Sequence, residues 1–317
     1  MTAAATERSA PPVGWRRVFY GEDGLRAGWC LLRFFAAYLL LAGGATWLYL
    51  RFDPGAALLG WTPRTLITME ALSLLGALAC LAASARLERR PLAAYGVPLR
   101  GAFGGPFWEG VLWGAALVSA LIGAIALAGG YSAGGLAQRG AAAASYALLW
   151  AVAFLLVGIN EEVLFRGYLL ATMSRGMGFW PAALLQSAFF GGLHYFTKPM
   201  ETWVDFASTG SIGLFMCWTV RRSGDIRLAA GFHFAFNSLA LAVFGGSNTG
   251  NDGHPLPGHL LASSFHGPQW LTGGPMGPEA SLLVFPLLAA LTAVGAWRFR
   301  GRAGRVAGRG AGGITLS

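Results

Sequence analysis

The stretch AVAFLLVGINEEVLFRGYLL, residues 151–170, reads as a membrane helix that carries Glu161, Glu162 and Arg166 in its interior. Ionisable side chains are expensive inside a bilayer, so such a group marks a functional site by default. Glu162 and Arg166 are four apart, share a helix face and can neutralise each other. Glu161 is turned about 100° from Glu162 and has no local partner. A carboxylate left over after the obvious ion pair is a candidate for chemistry.

The rest of the chain has the same solvent. Of its 317 residues 55% are hydrophobic and only 12% charged, too apolar for an ordinary soluble domain. Apolar runs recur over about 31–50, 65–85, 107–129, 145–174, 179–197, 203–221, 226–245 and 281–299, each near the ~20 residues that span a bilayer. The expected fold is all-α, a polytopic transmembrane helical bundle of about eight spans. Run length and the lack of alternation exclude a β-barrel.

The net charge of +9 reflects topology. With an inside N-terminus, the inside segments carry 18 of the 23 cations and the outside segments four (Arg51, Arg64, Arg139, Lys198), with Arg33 opening the first span. This is the positive-inside pattern and predicts cytoplasmic N- and C-termini. Anionic lipid accounts for the basic balance, and no nucleic-acid partner is expected. Arginine outnumbers lysine 22 to 1, which points to a high-GC bacterial genome and so to a bacterial inner membrane. The polar first 30 residues do not read as a cleavable signal peptide. Cys30, Cys80 and Cys217 fall in or beside spans and read as free, buried thiols.

Three parts follow: a cytoplasmic arm over 1–30, a membrane domain over 31–299, and a disordered Gly/Arg-rich tail over 300–317. Residues 246–280, rich in Gly, Pro and Ser, form the longest outside loop. His254, His259 and His266 lie in that loop and read as solvated. Glu70, Glu109 and Asp205 are placed near span ends, where interfacial water suffices.

Two more polar clusters lie in spans: Phe190-Gly-Gly-Leu-His194 and His233-Phe-Ala-Phe-Asn237. Glu161 and His194 are 33 residues apart, with their midpoint at Met177–Gly178. Gly-rich sequence there, with Pro181 just beyond, marks a turn. Each residue is then about 16 residues, roughly 24 Å, from the turn, so the two should face each other at one depth. Gly191 and Gly192 allow close helix approach. His233 and Asn237 share a face. Three helices can thus bring Glu161, His194, His233 and Asn237 to one buried polar site.

A carboxylate beside an imidazole can activate water as a general base. His233 and the Asn237 amide could hold an oxyanion. That set reads as amide hydrolysis. Zinc held by Glu161, His194 and His233, with an open position for water, is the other reading. The chain has no His-Glu-x-x-His, so the metal-free version, with no cofactor, is preferred.

In this order the clusters resemble the CPBP family of intramembrane proteases, which includes type II CAAX prenyl proteases and bacteriocin-processing and self-immunity proteins. The family pattern Glu-Glu-x-x-x-Arg, Phe-x-x-x-His, His-x-x-x-Asn is met by Glu161-Glu162-x-x-x-Arg166, Phe190-x-x-x-His194 and His233-x-x-x-Asn237, all within 145–245. The resemblance implies eight helices and an intramembrane site open toward the cytoplasm, acting on a peptide or membrane-protein substrate. It implies Glu161 as the water-activating base helped by His194, His233 and Asn237 as oxyanion donors, and Glu162 and Arg166 as supporting residues. A family member that binds a partner without cleaving it, as a membrane scaffold or immunity protein, is the alternative. A proton-using transporter is disfavoured by the missing internal repeat.

Overall fold

In the computed structural model the described residues are 14, 16–21, 24–58, 60–98 and 100–300. The first thirteen residues of the expected arm and the tail from 301 lie outside the described residues. Long helices occupy each expected apolar segment: α1 (Ala27–Phe52), α2 (Pro63–Leu87), α3 (Gly105–Leu127), α4 (Gly140–Met177), α5 (Phe179–Thr197), α6 (Trp203–Ser223), α7 (Arg227–Val243) and α8 (Val284–Arg298). The first four are long and apolar enough to cross a membrane. Their starts follow local rules. Thr62 caps α2 by accepting from the Thr65 amide at 3.1 Å, with Pro63 at the first helical position. The turn between α4 and α5 is at Gly178, as the hairpin count requires, and its φ of 80° suits glycine.

The outer surface is apolar. Leu40, Leu127 and Phe196 are 77%, 94% and 83% exposed, which is how a chain faces lipid instead of water. The polar groups are inside: Glu162 and Arg166 are fully buried. The protein is an all-α membrane helical bundle.

Without a hydrophobic drive between helices in lipid, small residues set how closely they pack. Gly110 and Gly114 of α3 lie against the backbone of α7, and a Cβ on either would stand 2.0 or 2.3 Å from the carbonyl oxygens of Leu228 or Phe232. Gly231 of α7 returns the contact: its Cβ would stand 2.0 Å from the Phe107 carbonyl oxygen. Of the pair expected to bring α5 close to a neighbour, Gly191 does so, against Phe206 and Gly210 of α6, whereas a Cβ on Gly192 would meet only ring atoms at 3.9 Å or beyond.

At the arginine-rich end the Glu88 carboxylate ties α1 and α4 to the connection that follows α2. It accepts hydrogen bonds from Arg33 (2.7 Å), Arg175 (2.8 Å), Tyr95 (2.8 Å) and Tyr168 (2.6 Å). Burial alone would raise its pKa; the bonds from Tyr168, Arg175 and Tyr95 outweigh that and hold it below the ordinary value. The free thiols Cys30, Cys80 and Cys217 are buried.

The loop over 246–280 is more ordered than its Gly, Pro and Ser content suggests. Its strand β2 (Leu261–Phe265) pairs antiparallel with β1 (Tyr131–Leu136) from the connection between α3 and α4. Trp150 of α4 donates to the Pro257 carbonyl at 2.9 Å and so holds the loop on the bundle. Strands so far apart in sequence leave no local hairpin signal. His254 and His266 are exposed, as expected, while His259 is half-buried and its Nδ1 donates to the Leu256 carbonyl at 2.7 Å.

Candidate active site

At Glu162 helix α4 changes geometry. It is α-helical to Glu161, π-helical over Glu162–Leu169, and α-helical again to Met177. All eight residues of the wide segment are buried, because it passes through the centre of the bundle with neighbours on every side. Such π segments recur at functional sites.

Arg166 Nη1 donates to Glu162 Oε1 at 3.0 Å, forming the expected i, i+4 ion pair. The guanidinium lies 4.4 Å from the centre of the Phe190 ring, a cation–π contact. Gly213 of α6 makes room for it, since a Cβ there would stand 2.9 Å from Arg166 Nη2. Glu162 has a second partner that the spacing did not show: His233 Nδ1, at 3.0 Å. A carboxylate only accepts, so Nδ1 carries the proton. Glu162 therefore orients an imidazole as well as neutralising Arg166.

This turns His233 Nε2 toward Glu161, whose Oε2 is 3.8 Å away. That oxygen is buried and has no hydrogen-bond partner among the described residues. The Glu161 side chain as a whole is 25% exposed, against none for Glu162. His194 is one turn from the end of α5 and donates through Nδ1 to the Phe190 carbonyl at 3.0 Å. In the neutral ring this leaves Nε2 as an acceptor.

Glu161, His194, His233 and Asn237 all line one cavity of about 310 Å³. Most of its wall is apolar, from Phe154, Phe165, Phe190, Ile212, Phe232 and Leu241. Such a chamber strengthens the electrostatics of the few polar groups it holds.

Two acidic residues expected to be satisfied by interfacial water near span ends are buried or line the cavity instead. Glu70 lines the cavity, and its carboxylate accepts from Asn160 Nδ2 at 2.8 Å. Asn160 also donates to Ser73 at 2.7 Å, which in turn pairs with Tyr38 at 2.6 Å. A polar chain thus crosses from α1 through α2 to α4 beside Glu161. Asp205 is only 2% exposed and accepts from Thr209 at 3.5 Å, so side-chain bonding rather than interfacial water satisfies it. Glu109 lies 3.6 Å from Arg298. Glu279, from the loop before α8, also lines the cavity, and burial pushes its carboxyl up to about 7 against the opposing pull of Lys198. The one sequence signal for Glu70 was its position seven residues inside an apolar helix, the same signal that singled out Glu161.

The cavity's outer wall comes from Trp61, Thr197, Lys198, Asn248 and Glu279, all in or beside connections at the cation-poor end of the bundle. The zinc reading fits the geometry poorly. Among the described residues no three His, Cys, Asp or Glu side chains are gathered as a metal-ligand set, although the Nδ1 bond to Glu162 would leave His233 Nε2 free to ligate.

Residues 143–239 match the family described as Type II CAAX prenyl endopeptidase Rce1-like. All three motifs fall inside the matched segment. No curated protein and no solved structure matches the chain.

Proposed function

We propose that this chain, a member of the CPBP family through its Rce1-like segment at 143–239, is an intramembrane endopeptidase that uses a glutamate-activated water. The observation that carries the reading is the unpartnered Glu161 Oε2, 3.8 Å from His233 Nε2 on the wall of an apolar cavity.

Glu161 takes a proton from a water molecule that also donates to His194 Nε2, and the hydroxide attacks the scissile carbonyl carbon. As that carbonyl becomes an oxyanion, the Asn237 amide donates to it, and His233 in its doubly protonated form donates from Nε2. Glu161 then returns its proton to the leaving amine as the C–N bond breaks. Glu162, held by Arg166, fixes the His233 ring through Nδ1 and is a positioning residue. The apolar wall keeps bulk water from competing with the substrate.

The arginine-rich face is taken as cytoplasmic, with both termini on that side. The Arg-rich composition supports a bacterial inner membrane as the setting. The test is a comparison of membrane-protein fragments in cells making the wild type or Glu161→Gln, which keeps the side chain's size. Fragments present only with the wild type support the reading; identical fragment patterns overturn it.

A further inference from the structure

Two carboxylates on the cavity wall, Glu70 and Glu279, have no part in the chemistry above, and both lie outside the family-matched segment 143–239. They differ in what faces them. Glu279 feels the pull of Lys198, the one lysine or arginine on the wall. Glu70 comes from α2, and among the described residues no cation stands within ion-pair distance of it. The charged group that bears most on it is another carboxylate, Glu161. The other charges of the site have counterparts. Arg166 pairs with Glu162, doubly protonated His233 faces Glu161, and Lys198 offsets Glu279. Glu70 is left over.

It is also held in place. Asn160, buried and next to Glu161 in the chain, donates one amide proton to Glu70 Oε2 at 2.8 Å and the other to Ser73 at 2.7 Å. Ser73 is fixed in turn by Tyr38 at 2.6 Å. The carboxylate is thus anchored through one oxygen. The other, Oε1, has no such partner among the described residues and is open to the cavity. A carboxylate in an apolar chamber is costly until a cation pairs with it, and the pairing is strong there. Leu66, four residues before Glu70 on the same face of α2, also lines the cavity and suits the methylene stem of a long cationic side chain.

We infer that Glu70 is a specificity-determining residue that binds the ammonium or guanidinium group of a lysine or arginine side chain adjacent to the scissile bond. This rests on the proposed proteolytic function and names the substrate class of that same site. The cavity, about 310 Å³, is at the small end of the ~300–1,000 Å³ range of ligand sites. A side chain held at Glu70 therefore belongs to a residue beside the bond attacked at Glu161. Its cation also screens the two like charges from each other.

The test uses the full chain in detergent and two pools of end-blocked, quenched-fluorescence octapeptides. One pool carries lysine and the other norleucine at a fixed central position; norleucine keeps the stem and lacks the charge. The wild type should show kcat/KM at least about tenfold higher on the lysine pool, the worth of one hydrogen bond to a charged group. Glu70→Gln keeps the side chain's size and an acceptor for Asn160, and should remove that preference. Glu70→Asp, which keeps the charge but draws it back, should give an intermediate ratio. No preference in the wild type overturns the inference. So does an unchanged ratio in either variant, since a purely structural role for Glu70 lowers both rates alike. A second arm needs no cleavage. The lysine pool should raise the melting temperature of Glu161→Gln more than the norleucine pool does, and adding Glu70→Gln should erase the difference. Equal shifts from the two pools, or a difference that survives Glu70→Gln, overturn the inference. Absence of cleavage by the wild type counts against the proteolytic reading alone, because the melting arm still decides what Glu70 binds.

Discussion

Gly231→Ala tests whether the α3–α7 packing sets the site. The added methyl would stand 2.0 Å from the Phe107 carbonyl oxygen, and real Cβ contacts essentially never fall under 3.0 Å, so the backbones must part by about 1 Å. His233 is two residues along α7. That is about 200° round the helix from Gly231, so α7 parting from α3 carries the ring toward α4 and would squeeze its 3.0 Å bond to Glu162 below the ~2.7–3.2 Å range of such bonds, forcing the imidazole out of place. Overpacking costs about 1–3 kcal/mol. The gain in helix propensity from Gly to Ala, about 1 kcal/mol, offsets part of that. Fold stability should therefore fall by about 0–2 kcal/mol. A 1 Å misplacement of a catalytic group costs about 100-fold in rate, equivalent to about 2.7 kcal/mol. Activity should thus drop further than stability. Thermal unfolding in detergent and the yield of Glu161-dependent fragments measure the two. Gly123→Ala on α3, where nothing lies within 4 Å of the added methyl, is the control. Wild-type cleavage by Gly231→Ala would refute the link between the glycine contact and the position of His233.

Arg166→Met keeps the side chain's bulk but breaks a fully buried ion pair; a loss of about 3–5 kcal/mol is expected, read as lower melting temperature and abundance. Glu161→Gln should melt like the wild type yet give no fragments, and equal destabilisation by both variants would make Glu161 structural. The Glu279 carboxyl is raised by burial from 4.5, its ordinary value, to about 7, so folding favours its protonated form. Its contribution to stability is full below about pH 4.5 and is lost as pH rises through 7. Melting temperature measured from pH 5 to 8 should fall less in Glu279→Gln than in the wild type, and equal slopes would dismiss this group. Cleavage should survive strong chelators; activity lost to chelation and restored by zinc, with the bound zinc absent from His233→Ala, would reverse the metal-free assignment.

Hydropathy alone located the helices, because the bilayer demands ~20 apolar residues wherever the chain crosses it. Helical period made the Glu162–Arg166 pair legible, and the turn at Gly178 was legible from its glycine and the proline beyond it. These relations are set by covalent neighbours and need no partner helix. Only the packed bundle decided that Glu162 also holds His233, 71 residues away, at 3.0 Å. It likewise brought Glu70 into the cavity and paired residues 131–136 with 261–265. Which helix faces which is set by backbone contact at Gly110, Gly114, Gly191 and Gly231, and close packing between segments far apart in the chain leaves no local period to read.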